Sequence, residues 1–147
     1  MNVLGKAIAI TAEAFKDKTD RGGKPYMLHC LFVMNQMPHG DQELQAAAVM
    51  HDLLEDTHLE KHNLKNMGFP DRVVELVARM THDPDVTYQV YLDGIAGWPD
   101  ACRIKLADLR HNSDITRLKG LRQKDFKRLE KYQRAYTQLT EALKNSY

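Results

Sequence analysis

The sequence predicts an all-α fold, and three observations predict it. Apolar residues return every three or four positions along most of the chain, β-branched alternation is scarce, and Gly, Pro and capping residues interrupt the pattern at helix-length intervals. The 147 residues suit a single domain, 1–147, with enough chain to bury a substantial core.

The first helix is expected over Val3 to about Phe15, with Val3, Leu4, Ala7, Ile8 and Ala14 facing inward. Lys16 to Lys24 then reads as a charged loop carrying Gly22-Gly23. A second helix runs from about Pro25 to Met37, Pro25 fitting its first turn. A third begins near Asp41, whose side chain can cap the apolar run Ala46-Ala47-Ala48-Val49-Met50. Thr57 and Glu60 have capping-box spacing for a short helix ending at Gly68, and Pro70 opens another to about Met80. Thr81 to Val86 is a loop, Thr87 to about Ala96 a helix, and Gly97-Trp98-Pro99 a break before a long helix reaching about Leu118. Gln123 to Asn145 forms an amphipathic closing helix, read as structural.

Composition removes several function classes. A formal charge of +1, from 21 basic and 20 acidic residues, supplies no bulk field for a nucleic-acid polymer or an anionic membrane, so an anionic ligand must be held by local charges. Cys30 and Cys102 are too few for a disulfide framework, and no signal peptide or bilayer-length apolar run is evident. The expected compartment is the cytoplasm. The oligomeric state is not legible.

The densest chemistry lies in His51-Asp52-Leu53-Leu54-Glu55-Asp56, four metal-binding or proton-handling side chains in six positions. A helix over 42–56 would place His51 and Glu55 four apart on one face, with Asp52 and Asp56 repeating the relation one residue over. One pair can then hold a divalent cation while the other works on a nearby water. The plain alternative is an exposed acidic helix end, which opposes the macrodipole unless a cation compensates. A cation site in a helical protein draws ligands from several helices, and two further residues qualify. His29 sits in the apolar run 26–33, where on its own it would be an ordinary core histidine. Asp108 lies inside a helix, with Asn112 four residues on. Together His29, His51, Asp52 and Asp108 form a mixed nitrogen and oxygen set suited to Mn, Fe, Mg or Zn chemistry on phosphates.

This order of a His, then His-Asp, then a later Asp resembles the HD superfamily of metal-dependent phosphohydrolases. The segment His51 to Thr57 is similar to the His-Asp-x-x-Glu-Asp motif of the RelA/SpoT hydrolase domain and of the stand-alone small alarmone hydrolases. Pro25-Tyr26-Met27-Leu28-His29, Phe69 to Val77, and Lys105-Leu106-Ala107-Asp108 with Asn112 resemble further motifs of that family, in the same order, over about residues 4–118. The resemblance implies an HD-domain fold with one metal ion, Mn first and Fe, Co or Zn also accepted, on His29, His51, Asp52 and Asp108. It implies that Glu55 and Asp56 position or deprotonate the attacking water, and that Asn112 helps hold the nucleotide. The implied reaction removes the 3'-pyrophosphate of (p)ppGpp, giving GDP or GTP. With no synthetase domain after the closing helix, hydrolysis alone is expected.

Lys18, Arg21 and Lys24, on the glycine-containing loop before His29, are candidates to meet substrate phosphates or to stack on the base; a solvated charged loop explains them equally well. His39, His58, His62, His82 and His111 are read as surface residues, and Trp98 and Phe69 as core or helix-junction packing. Tyr88 and Tyr91 fit either a pocket wall or helix packing. Two positions depart from the family pattern: Cys30 stands where a Pro usually follows the first His, and Asp114 where many alarmone hydrolases carry a basic residue. An acid at 114 bears on the substrate more than on the chemistry. The competing readings are an HD phosphohydrolase acting on another nucleotide, such as NADPH or a nucleoside phosphate, and a non-catalytic nucleotide sensor or helical interaction module.

Overall fold

The computed structural model describes residues 1–146, which form helices joined by short loops, with no strand among them. Helix α1 spans Val3–Phe15, α2 Met27–Asn35, α3 Gln42–Val49, α4 Leu53–Asp56, α5 Lys61–Asn66, α6 Asp71–Met80, α7 Tyr88–Ala96, α8 Pro99–Asn112 and α9 Gln123–Lys144. None of the described helices is long and apolar enough to cross a membrane.

Helix α3 is the centre of the molecule. Leu44 and every residue from Ala46 to Met50 are buried, and Gln45 is nearly so. Its second half is apolar on every side and must be surrounded, and α1, α2 and α6 pack around the helix. Its run of alanines lets those neighbours approach closely. Its start is fixed by Asp41, which accepts a hydrogen bond from the Leu44 N–H at 3.1 Å and binds Arg72 of α6 through both carboxylate oxygens, at 2.8 and 2.7 Å. Arg72 also reaches Asp100 in the first turn of α8, at 2.9 Å. One guanidinium thus ties together the N-termini of α3, α6 and α8, each of which carries an acid in its first turn, where the helix dipole favours one. On the other side, α8 packs along α9 and against α2 and α7.

Several expectations are corrected. Residues 42–56 are not one helix: α3 ends at Val49 and α4 starts at Leu53, with the Met50 and Asp52 backbones near ψ of zero and the Leu53 N–H bonded to Met50 O. No Gly or Pro marks this turn in the sequence. Helix α2 is shorter than predicted at both ends. Helix α5 starts after Glu60, not Thr57, because the Asn63 side chain accepts from the Glu60 N–H at 2.8 Å while the Thr57 hydroxyl donates back to Leu53 O at 2.6 Å. Helix α8 stops at Asn112, not near Leu118, because Asp114 accepts from Thr116 and starts a separate 3-10 turn over Ile115–Arg117. Ala14 faces solvent. Trp98 is half exposed at the α7–α8 junction with the Arg79 guanidinium 3.8 Å over its ring, whereas Phe69 is buried as expected.

The glycine-containing loop is a closed hairpin. Thr19 and Pro25 pair across it, and the Tyr26 N–H donates to Lys18 O at 2.9 Å. Gly23 turns it at a φ of 85°, and a Cβ on Gly22 would lie 2.0 Å from the Arg117 carbonyl oxygen, so the loop rests against the turn after α8 only because Gly22 has no side chain.

Candidate metal centre and its cavity

His29, on α2, and Asp108, on α8, meet because those helices pack together; His51 and Asp52 arrive from the turn between α3 and α4. That turn matters for the chemistry. Neighbouring side chains on a regular helix point about 100° apart. Here His51 Nε2 and Asp52 Oδ2 lie 3.0 Å apart and face the same point. Asp108 Oδ1 lies 2.9 Å from His29 Nε2 and 3.3 Å from His51 Nε2, and one ligand atom from each of the four residues falls within 4.8 Å of the others.

Both histidines present Nε2 to this point and have Nδ1 engaged elsewhere. His51 Nδ1 lies 2.8 Å from Ala48 O, an acceptor, so the ring carries its proton there. His29 Nδ1 lies 2.8 Å from His111 Nδ1. The second carboxylate oxygen of Asp108 accepts from Lys105 Nζ at 2.9 Å, and Oδ1 accepts from the Asn112 amide at 3.0 Å. Tyr26 donates its hydroxyl to Asp52.

The charge balance at the centre favours a cation. Burial opposes charge on His51, Lys105 and Asp108, yet their oppositely charged neighbours outweigh it. The Asp52 and Asp108 carboxylates hold the His51 imidazole well above its ordinary pKa, and Lys105 is raised in the same way by Asp108. Burial of Asp108 is in turn overcome by Lys105 and the two histidines, which hold it well below the carboxylate range. Two adjacent buried carboxylates, two outward-facing Nε2 atoms and geometry open on one side fit a divalent cation with mixed nitrogen and oxygen preference.

Asp52 and Asp108 of the centre line a cavity of about 440 Å³, with His29 and His51 buried behind them. Glu55 and Asp56 line it beside Asp52. Glu55 accepts a hydrogen bond from the His82 backbone N–H at 2.8 Å, and partial burial raises its pKa despite that bond. Asp56 pairs with Lys18 Nζ at 2.9 Å. Arg21 and Asn112 also line the cavity; Lys24 does not, its backbone N–H instead donating to Asp20 Oδ1 within the hairpin.

The cavity also takes in residues that the sequence left structural, undecided or on the surface, together with Arg117, which it did not single out. Helix α9, read as structural, supplies Lys131 and Tyr132 to the far wall, where Lys131 Nζ sits 4.1 Å from the Tyr88 ring centre. Tyr88 and Tyr91 both line the cavity, and Tyr91 is also anchored by donating to Met80 O at 2.6 Å. Arg117 enters from the 3-10 turn, held by Asn112 Oδ1 at 3.3 Å and Asp20 at 3.2 Å. It places positive charge near Asp114, the acidic departure, whose own carboxylate is occupied by Thr116. His82 and His111, read as surface, are each only partly exposed and contact the site. No signal for α9 was available, since an amphipathic pattern does not say which end of a helix reaches a cavity.

The structure is similar to that of a metazoan ortholog of SpoT, a protein that hydrolyses ppGpp and plays a role in starvation responses, with a TM-score of 0.76 over 97% of this chain and 86% of that one, at 22% identity. The two chains share a fold. It is the all-α HD-domain fold that the motifs implied. No family model and no curated protein matches this sequence.

Proposed function

We propose that residues 1–147 act as one hydrolase domain that removes the 3'-pyrophosphate of (p)ppGpp, using a divalent cation, Mn first among the candidates, held by His29, His51, Asp52 and Asp108. The observation that carries this reading is the convergence of those four ligand atoms, two of whose residues, Asp52 and Asp108, line one cavity with Glu55 and Asp56. The fold shared with a ppGpp hydrolase supports it.

When bound, the cation polarises the phosphoryl oxygen and makes water a better nucleophile. The remaining work falls to the chain. Glu55, raised by partial burial and held by the His82 N–H, orients the attacking water and takes its proton. Asp56, paired with Lys18, fixes the other side of that water. Arg21 and Arg117 at the hairpin side and Lys131 at the α9 side offset phosphate charge, and Asn112 holds the nucleotide while steadying Asp108. A sensor that only bound an anionic nucleotide would gain nothing from two additional carboxylates beside its phosphates.

The test is product analysis with Mn and ppGpp. Wild-type protein is expected to release pyrophosphate and GDP. Glu55→Gln and Asp56→Asn should each lower kcat by roughly 10²- to 10⁴-fold, the usual contribution of general acid–base catalysis. Mn binding should be retained in both. No release by folded, Mn-loaded wild type would rule out ppGpp as the substrate.

A further inference from the structure

The two histidines of the metal centre are oriented by different means. A backbone carbonyl, Ala48 O, can only accept, so it settles where the His51 ring carries its proton. His29 has no such carbonyl. Its Nδ1 meets another imidazole nitrogen, His111 Nδ1, at 2.8 Å. The two ring planes are 7° apart with centroids separated by 5.0 Å, the arrangement of two coplanar imidazoles joined edge to edge by one hydrogen bond. The contrast is with Phe32, which lies face to face on His111 at 4.0 Å and 11°.

These contacts interlock two helices. His29 and Phe32 are three apart on α2; Asp108 and His111 are three apart on α8, so each pair shares a face. Phe32 fixes the plane of the His111 ring, and His111 meets His29 within that plane. His29 then points Nε2 at Asp108 on the helix that carries His111. Helix α8 thereby supplies one ligand and orients another.

Resting on the reading that the four converging residues bind a divalent cation, we infer that His111 is a positioning residue for the metal centre: its Nδ1 accepts the Nδ1–H of His29, which fixes the His29 tautomer and leaves the Nε2 lone pair for the cation. A histidine ligand whose second nitrogen is held this way is oriented and made more basic, and losing the partner typically weakens metal binding about 10- to 100-fold.

Mn titration by calorimetry of wild type, His111→Phe and His111→Asn tests this. H111F keeps a ring on Phe32 but offers no acceptor; H111N places an amide oxygen close to where Nδ1 was. The expected result is a roughly 10- to 100-fold weaker Kd for H111F and recovery of most of that loss in H111N. Wild-type affinity in H111F, or equal losses in both variants, overturns the inference, since packing alone would then account for the residue. A second measurement needs no variant. Long-range 1H–15N spectra of Zn-loaded wild type should show the proton on His29 Nδ1 and none on His111 Nδ1; the reverse overturns the inference. Wild type that takes up neither metal overturns the metal reading itself, a result visible before any variant is compared.

Discussion

Lys18 Nζ lies 2.9 Å from Asp56 Oδ2 and 4.2 Å from the centre of the Tyr26 ring, whose hydroxyl donates to Asp52. A lysine that its sequence context offered as a phosphate ligand is therefore already committed to a carboxylate that lines the cavity. Its ammonium sits between the hairpin and the segment after the turn that carries His51 and Asp52.

This geometry separates two roles kinetically. Lys18→Met removes the partner of Asp56 without removing the cation–phosphate contacts available to Arg21 and Arg117. The expected effect is a fall in kcat of about tenfold, equal to about 1.4 kcal/mol, with KM little changed. Lys18→Arg should restore most of it. Steady-state kinetics of both variants checks this, and a raised KM at unchanged kcat would mark Lys18 as a substrate ligand instead.

The candidate site residues were legible in the sequence because residue identity alone carries them: His51, Asp52, Glu55 and Asp56 are too dense to be incidental, His29 is polar in an apolar run, and Asp108 lies inside a helix with Asn112 four residues on. What was not legible depended on geometry. The apolar run from Ala46 to Met50 leads straight into His51-Asp52 and then Leu53-Leu54 with no Gly or Pro between, so nothing in the sequence marks the turn at residues 50–52. His111 reads as an exposed helix position although it follows Asp108 by three, because spacing alone cannot draw the inner face of a helix to one residue. Lys131 is one of many lysines on α9, and only the packing of α9 on α7 and α8 brings it to the cavity.

Gly22 tests how closely the hairpin must approach the turn after α8. Gly22→Ala sets a methyl group 2.0 Å from the Arg117 carbonyl oxygen, so hairpin and turn must separate. Forced overpacking of this kind costs about 1–3 kcal/mol. Urea unfolding should report that loss. Because Arg117 is held by Asp20 on the same hairpin, KM for the nucleotide should rise as well.

The Arg72 hub gives a pH dependence of stability away from the site. Its hydrogen bonds to Asp41 are the main cause of the depressed Asp41 pKa, below the ordinary value of 3.8. A carboxylate with a lowered folded pKa contributes stability that is complete above its unfolded pKa and is lost as the pH falls through the folded one. Asp41→Asn should therefore be less stable than wild type by about 1 kcal/mol at neutral pH, in keeping with a half-exposed pair. The gap should close only below about pH 4. Thermal melts of both proteins from pH 7 to pH 3 measure it; a constant gap would mean that the packing of Asp41, not its charge, holds the three helices.

The metal centre should stabilise the fold as well as serve chemistry. Asp52 and Asp108 bring two carboxylates to one buried point, with Lys105 the single lysine bonded to either. A divalent cation there binds the folded chain and has no comparable site in the unfolded one, so by mass action it stabilises by about 2.7 kcal/mol when present at 100 times its Kd. For a chain of this length that corresponds to a rise in Tm of roughly 5–10 °C. Mn should produce the rise, and excess chelator should reverse it. Asp52→Asn, which keeps the shape of the side chain but halves the carboxylate charge facing the histidines, should melt close to metal-free wild type and respond much less to Mn. A full Tm response in that variant would move the cation away from these four residues.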